Sequence, residues 1–258
     1  MKRLCILALL AACDTTGGRL VTFDVAAVGP ADATGGPRAF INGLGWHVIL
    51  TKATLHIGAV YLNLSNPISG SQGTNCILPG IYTAEELSGI DVDVLSNDPQ
   101  KFPDQADGTD DSAKTGEVWL TGGDVNAAED STVIADVEGT AVGATSMPFT
   151  AKVTIGSNRL IASSDPSMPS AHPICKQRIV SPIRQPIAID ETGGLLLRID
   201  PRLFFVDVDF SQIPVDASTG DRVFSDDPRA PGYAPTGQNL FANLRSVAPY
   251  TFSWEAGL

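Results

Sequence analysis

Three histidines, four cysteines and a run of aspartates are the residues of this chain whose types could carry chemistry. His47 and His56 lie nine positions apart, with His172 and Cys175 farther along, and imidazole nitrogens joined by one soft sulfur suit copper. Nine is an odd interval, so on an unbroken strand the two rings face opposite sides, and only a change of parity near Thr51-Lys52 brings them to one face. Asp104, Asp107, Asp110 and Asp111 flank Gly108, and clustered carboxylates on a turning loop are what calcium takes. Their spacing fits no EF-hand register, and the terminal bidentate glutamate is missing. Asp207 and Asp209 would share a face of a strand, as an acid/base pair requires. With Phe204, Val206, Val208 and Phe210 opposite them, they read more simply as the solvated side of an amphipathic strand. Gly70-Ser71-Gln72-Gly73 is one residue too short for a nucleophile elbow, and no phosphate loop, haem motif or zinc-protease motif is found. No catalytic residue is assigned.

The N-terminus carries a different kind of chemistry. Met1-Lys2-Arg3 is basic, Leu4 to Leu9 is apolar, and Leu10-Ala11-Ala12-Cys13 sets small residues before a cysteine. That pattern resembles the bacterial lipobox. The resemblance implies that residues 1–12 are a signal peptide and that Cys13 receives lipid, palmitate among its acyl chains, in an exported cell-envelope protein. The apolar run is far short of the ~20 residues that span a bilayer, so the membrane partner is reached through lipid. One acyl chain holds only marginally, and a multiply acylated Cys13 makes the attachment durable. Asp14 resembles the inner-membrane retention signal of enteric bacteria, a rule that differs between bacterial groups, so inner and outer membrane both stay open.

Charge and cysteine count narrow the partners. The 258 residues carry 17 basic and 29 acidic side chains, a net charge of −12, which opposes affinity for nucleic acid. Loss of Lys2 and Arg3 with the signal makes the mature chain −14. Fifteen of the acids lie between Glu85 and Glu138, against Lys101 and Lys114 alone, whereas Lys176, Arg178, Arg184, Arg198 and Arg202 cluster later. A chain so polarised can steer an envelope partner or a cationic ligand, although a solvated acidic loop is the simpler account. Export removes Cys5 and lipid occupies Cys13, leaving Cys76 and Cys175. Two thiols in an oxidising compartment most simply form one disulfide, worth roughly 4–5 kcal/mol in the entropic account for so long a loop. The alternative is a pair of metal ligands.

The elements that must position these residues read as strands. Val21, Phe23 and Val25 alternate; Trp46, Val48 and Leu50 share one face, and Leu55, Ile57 and Ala59 another, with the parity changing around Thr51-Lys52. Further strands are expected at 117–120, 133–141, 148–155, 159–162, 179–189, 195–199, 203–210 and 250–254. Helical signals are confined to a single turn at 83–87 and to 238–245, where Leu240, Phe241 and Leu244 form a stripe. Long loops are expected at 66–77, 97–114, 163–175 and 214–237. With 43% hydrophobic residues and no linker between two cores, the chain reads as one all-β domain over 20–258, a single antiparallel β-sandwich, after a tether at 13–19.

The segments 45–62, 116–125, 158–160 and 173–178, which include Gly45-Trp46-His47-Val48, Glu117-Val118-Trp119-Leu120 and Pro173-Ile174-Cys175, resemble a family of uncharacterised exported bacterial lipoproteins. That resemblance implies export and an all-β fold and assigns no activity. The strand rhythm is more loosely similar to periplasmic copper-binding β-sandwich proteins of the methanobactin-associated type, which keeps copper as an alternative to a purely binding or structural role. An envelope enzyme with an unrecognised carboxylate site is the third reading.

Overall fold

Period-two alternation becomes strand along most of the chain. The computed structural model describes residues 18–65, 81–120, 132–154, 178–224 and 235–258. In chain order the strands open with β1 (Leu20–Phe23), β2 (Val25–Val28), β3 (Arg38–Ile41), β4 (His47–Ile57) and β5 (Ala59–Asn63). There follow β6 (Tyr82–Glu86), β7 (Ile90–Asp93), β8 (Gln100–Lys101), β9 (Ala106–Thr109), β10 (Ser112–Trp119), β11 (Val133–Val142) and β12 (Ser146–Thr154). Next come β13 (Arg178–Ala188), β14 (Gly193–Ile199), β15 (Arg222–Phe224), the helix α1 (Pro235–Leu244) and β16 (Tyr250–Ala256). The fold is all-β and sandwich-like. The first sheet runs β1-β9-β6-β5-β10-β13, the second β15-β12-β11-β4-β3 with β7 also on β4, and a third, smaller sheet β16-β14-β2-β8. The first sheet is wholly antiparallel, but β12 pairs with β15 and β14 with β2 in parallel, so the second and third sheets are mixed. Pro182 and Pro186 sit in β13, the edge of its sheet, where a missing N–H costs no ladder bond on the open side.

One buried cluster joins the sheets: Phe23, Leu62 and Val118 from the first, Leu50, Leu55 and Phe149 from the second, Val25, Leu197 and Ile199 from the third. β1 and β2 carry the expected face of Val21, Phe23 and Val25, but the chain passes from the first sheet to the third at Asp24. The parity change in β4 is a bulge. Glu138 pairs with Lys52 and Gly139 with Leu50, so Thr51 is the extra residue. Val48 and Leu50 before it, and Ala53, Leu55 and Ile57 after it, all point into the core.

Four expectations are overturned, the loop at 214–237 among them, since it holds β15 and the start of α1. Residues 83–87 are not a helical turn but lie largely within β6, because one turn cannot hold itself together while β5 and β9 offer its backbone partners on both sides. The loop expected at 97–114 holds β8, β9 and the start of β10. The strand expected at 203–210 is instead two 3-10 turns, Pro201–Phe205 and Phe210–Gln212. Asp200 caps the first through the Arg202 N–H at 3.0 Å with Pro201 following it, and Asp209 caps the second through the Ser211 N–H at 3.0 Å. These turns deliver Phe205 and Phe210 to Phe149 and Phe224, with every pair of the four rings between 4.9 and 6.2 Å apart. Buried Asn42 pins them from β3's side, donating to the Phe205 and Val208 carbonyls and accepting from the Leu44 and Trp46 N–H groups.

Candidate functional site

The bulge at Thr51 brings His47 and His56 to the outer face of the second sheet, as the parity argument required, but at opposite ends of β4. At ~3.3 Å per residue they stand about 25–30 Å apart, too far to share an ion. His47 is exposed; His56 holds Asp91 across the β4–β7 pairing, Nδ1 to Oδ1 2.7 Å. The four aspartates do not converge either. Asp107 lies within β9 opposite Thr22 and Glu85, and Asp110 accepts the Arg19 N–H at 2.7 Å. Asp111 accepts the Thr109 hydroxyl at 2.8 Å, and the Asp104 N–H turns to the Ser88 hydroxyl. Gly108 serves packing and not an ion-binding turn, since a Cβ there would meet Ala84 Cβ and the Thr83 carbonyl at 2.7 Å each. Among the described residues no group of three or more His, Cys, Asp or Glu side chains could hold a metal ion. Cys13, Cys76, Cys175 and His172 lie outside the described residues.

Asp207 and Asp209 are occupied separately. Asn243 Nδ2 donates to Asp207 at 2.7 Å, tying α1 to the residues that follow the first 3-10 turn, and Asp209 takes the Ser211 N–H and hydroxyl. Both carboxylates terminate or tether turns. Of the tryptophans, Trp46 meets Phe210 at 5.9 Å and Trp254 meets Phe23 at 4.9 Å, which is core packing. Trp119 is different.

It belongs to a polar and aromatic group on the outer face of the first sheet. Val60 and Val118, facing each other on β5 and β10, point into the core, so their neighbours Tyr61 and Glu117 face each other on the opposite side. Tyr61 also faces Glu85 across the β5–β6 pairing. One phenol thus stands between two carboxylates in a row across three strands. Glu117 is fully buried, its Oε1 taking Asn63 Nδ2 at 2.8 Å and its Oε2 taking Trp119 Nε1 at 3.3 Å. The Tyr61 ring lies 5.0 Å from Tyr82 and 5.9 Å from Trp119. Burial pushes the Tyr61 hydroxyl above its usual range, and the charges of Glu85 and Glu117 push it further. The arrangement sets negative charge beside aromatic faces, with Tyr61 and Tyr82 half-buried and Glu85 exposed. Sequence reading missed it because strict alternation labels Glu117 as a solvated residue. What buries it comes from β5, more than fifty positions earlier.

Comparison with known proteins gives little. No family model matches the chain, and no curated protein matches it. A solved structure that matches is MbnP from Methylosinus trichosporium, at 13% identity and a TM-score of 0.38, over 93% of this chain and 99% of that one. It is a weak likeness.

Proposed function

We propose that this chain is a lipid-anchored protein of a bacterial cell envelope that works by binding, and that its binding surface is the Tyr61, Tyr82 and Glu85 shelf over Glu117. The anchor rests on the sequence Leu10-Ala11-Ala12-Cys13 behind a short basic and apolar segment. The binding role is carried by one observation, the row Glu85–Tyr61–Glu117 across three strands. Aromatic faces and carboxylates attract the same partner, an organic cation, the first through the ring quadrupole and the second through charge. An ammonium or guanidinium group seated on Tyr61 and Tyr82 would meet exposed Glu85 directly, with the Glu117 charge beneath it.

Palmitate labelling tests the anchor. Label should enter the wild-type chain and vanish in Cys13→Ala, and unchanged labelling of that variant would remove the lipid from the account. Calorimetric titration of the mature protein with a tetra-arginine peptide at low salt tests the surface. Binding should weaken in Glu85→Gln and in Tyr61→Ala; an unaltered affinity in both would place the cation elsewhere. Elemental analysis of the purified mature protein addresses the metal reading. Stoichiometric copper or calcium would replace an organic cation with a metal ion as the ligand.

A further inference from the structure

A second site lies away from that shelf, where the second sheet's edge meets the first 3-10 turn. Asp32, Thr34, Arg38, Leu95 and Arg202 are among the residues lining a cleft of about 260 Å³, room for a small organic molecule. Two guanidiniums converge on it. Arg38, at the start of β3, has a side chain only 10% exposed, and its Nη2 donates to Asp32 at 2.6 Å. Its Nε is buried without a hydrogen-bond partner. Arg202 is held by Asp200 through Nε at 2.8 Å and Nη2 at 2.6 Å, which fixes the plane of its fork. The remaining Nη1 points toward Asp32 at 3.8 Å, beyond hydrogen-bond range.

In a chain with so few bases, two arginines share this one cleft, and between them they leave donors unused. A buried guanidinium with an unmet N–H is costly in a finished structural ion pair and expected in a receptor that awaits an acceptor. The Asp32 side chain is 66% exposed and sits on a turn closed by the Ala33 N–H to Pro30 and the Gly35 N–H to Leu95, so its carboxylate can leave without disturbing the core. Guanidinium forks match a planar carboxylate in a bidentate way, and Asp32 shows the place such a group would take.

We propose that this cleft binds the carboxylate of a small organic acid, with Asp32 as a built-in competitor for the same two arginines. Ligand entry displaces the Asp32 carboxylate to solvent, and the ligand satisfies Arg38 Nε and Arg202 Nη1. The site is independent of the cation shelf, so either can fail alone.

The test is calorimetric titration of the mature protein with succinate, and separately with inorganic phosphate, at low and high salt. Succinate should bind wild type, more weakly as salt rises. Asp32→Asn removes the competing charge and should bind succinate about tenfold more tightly. Arg38→Gln should abolish binding. A gain in Asp32→Asn cannot arise from misfolding, which guards the result against a destabilised Arg38→Gln. No heat from succinate at 10 mM in wild type and Asp32→Asn overturns the proposal, and so does phosphate binding more tightly than succinate.

Discussion

Asn63 Nδ2 donates to Glu117 Oε1 at 2.8 Å, and both side chains are fully enclosed although they stand on the outer face of the first sheet. Enclosing a carboxylate is tolerable only while its oxygens keep donors. Asn63→Leu removes one donor and keeps the volume, and should cost about 1.5–3 kcal/mol in urea unfolding. Exchanging Glu117 and Asn63 together for Leu should recover part of that loss. A double variant as unstable as the sum of the single ones would show that the two residues act separately.

Glu86 faces the other way, into the core, and is 2% exposed. Burial raises its carboxyl above the usual value of 4.5, and the nearby Asp104 charge adds to this against the Ser88 hydroxyl and N–H. Its Oε2 has no partner. A carboxyl with a higher pKa folded than unfolded holds its proton more tightly in the native state. Its contribution is therefore complete below pH 4.5 and is lost as pH rises through the folded value. Glu86→Gln should melt higher than wild type at pH 8, with the gap closing toward pH 4, in a calorimetric pH series. Melting curves that stay parallel across that range would contradict it.

The four-ring cluster makes truncation of Phe210 costly. Phe210→Ala should lose about 3–5 kcal/mol. Asp209→Ala, which strips the cap of the turn that presents this ring, should lose about 1 kcal/mol. Both are read by chemical denaturation, and a neutral Asp209→Ala would mean that the turn holds without its cap.

We propose that Cys76 and Cys175 are joined. The mature wild-type chain should then show no thiol to a disulfide-exchange reagent after unfolding. Cys175→Ser should expose one thiol and lower the melting temperature. A pair of titratable thiols in oxidised wild-type protein would favour the metal-ligand alternative.

These residues differ in how far the sequence reveals them. In β4 the alternation of Val48 and Leu50 with Ala53, Leu55 and Ile57 is local, and it discloses both the strand and its bulge. The stretch 203–210 alternates almost as well. It turns instead because Asp200-Pro201 and Asp209-Phe210-Ser211 supply capping carboxylates, a signal that outranks a short period-two pattern. Glu117 and Arg38 lie at the far end of the scale. Their partners, Asn63 and Asp32, are brought alongside only by the completed sheet pairings and turns.

Thr51 has a consequence for how this chain can vary. Elsewhere in a half-buried strand, losing one residue turns every later side chain to the wrong side. Deleting Thr51 would instead leave Val48, Leu50, Ala53, Leu55 and Ile57 in one unbroken alternation, paired one to one with β11. The bulged position behaves as a spare link: the length of β4 can change there by one without exchanging its interior for its exterior.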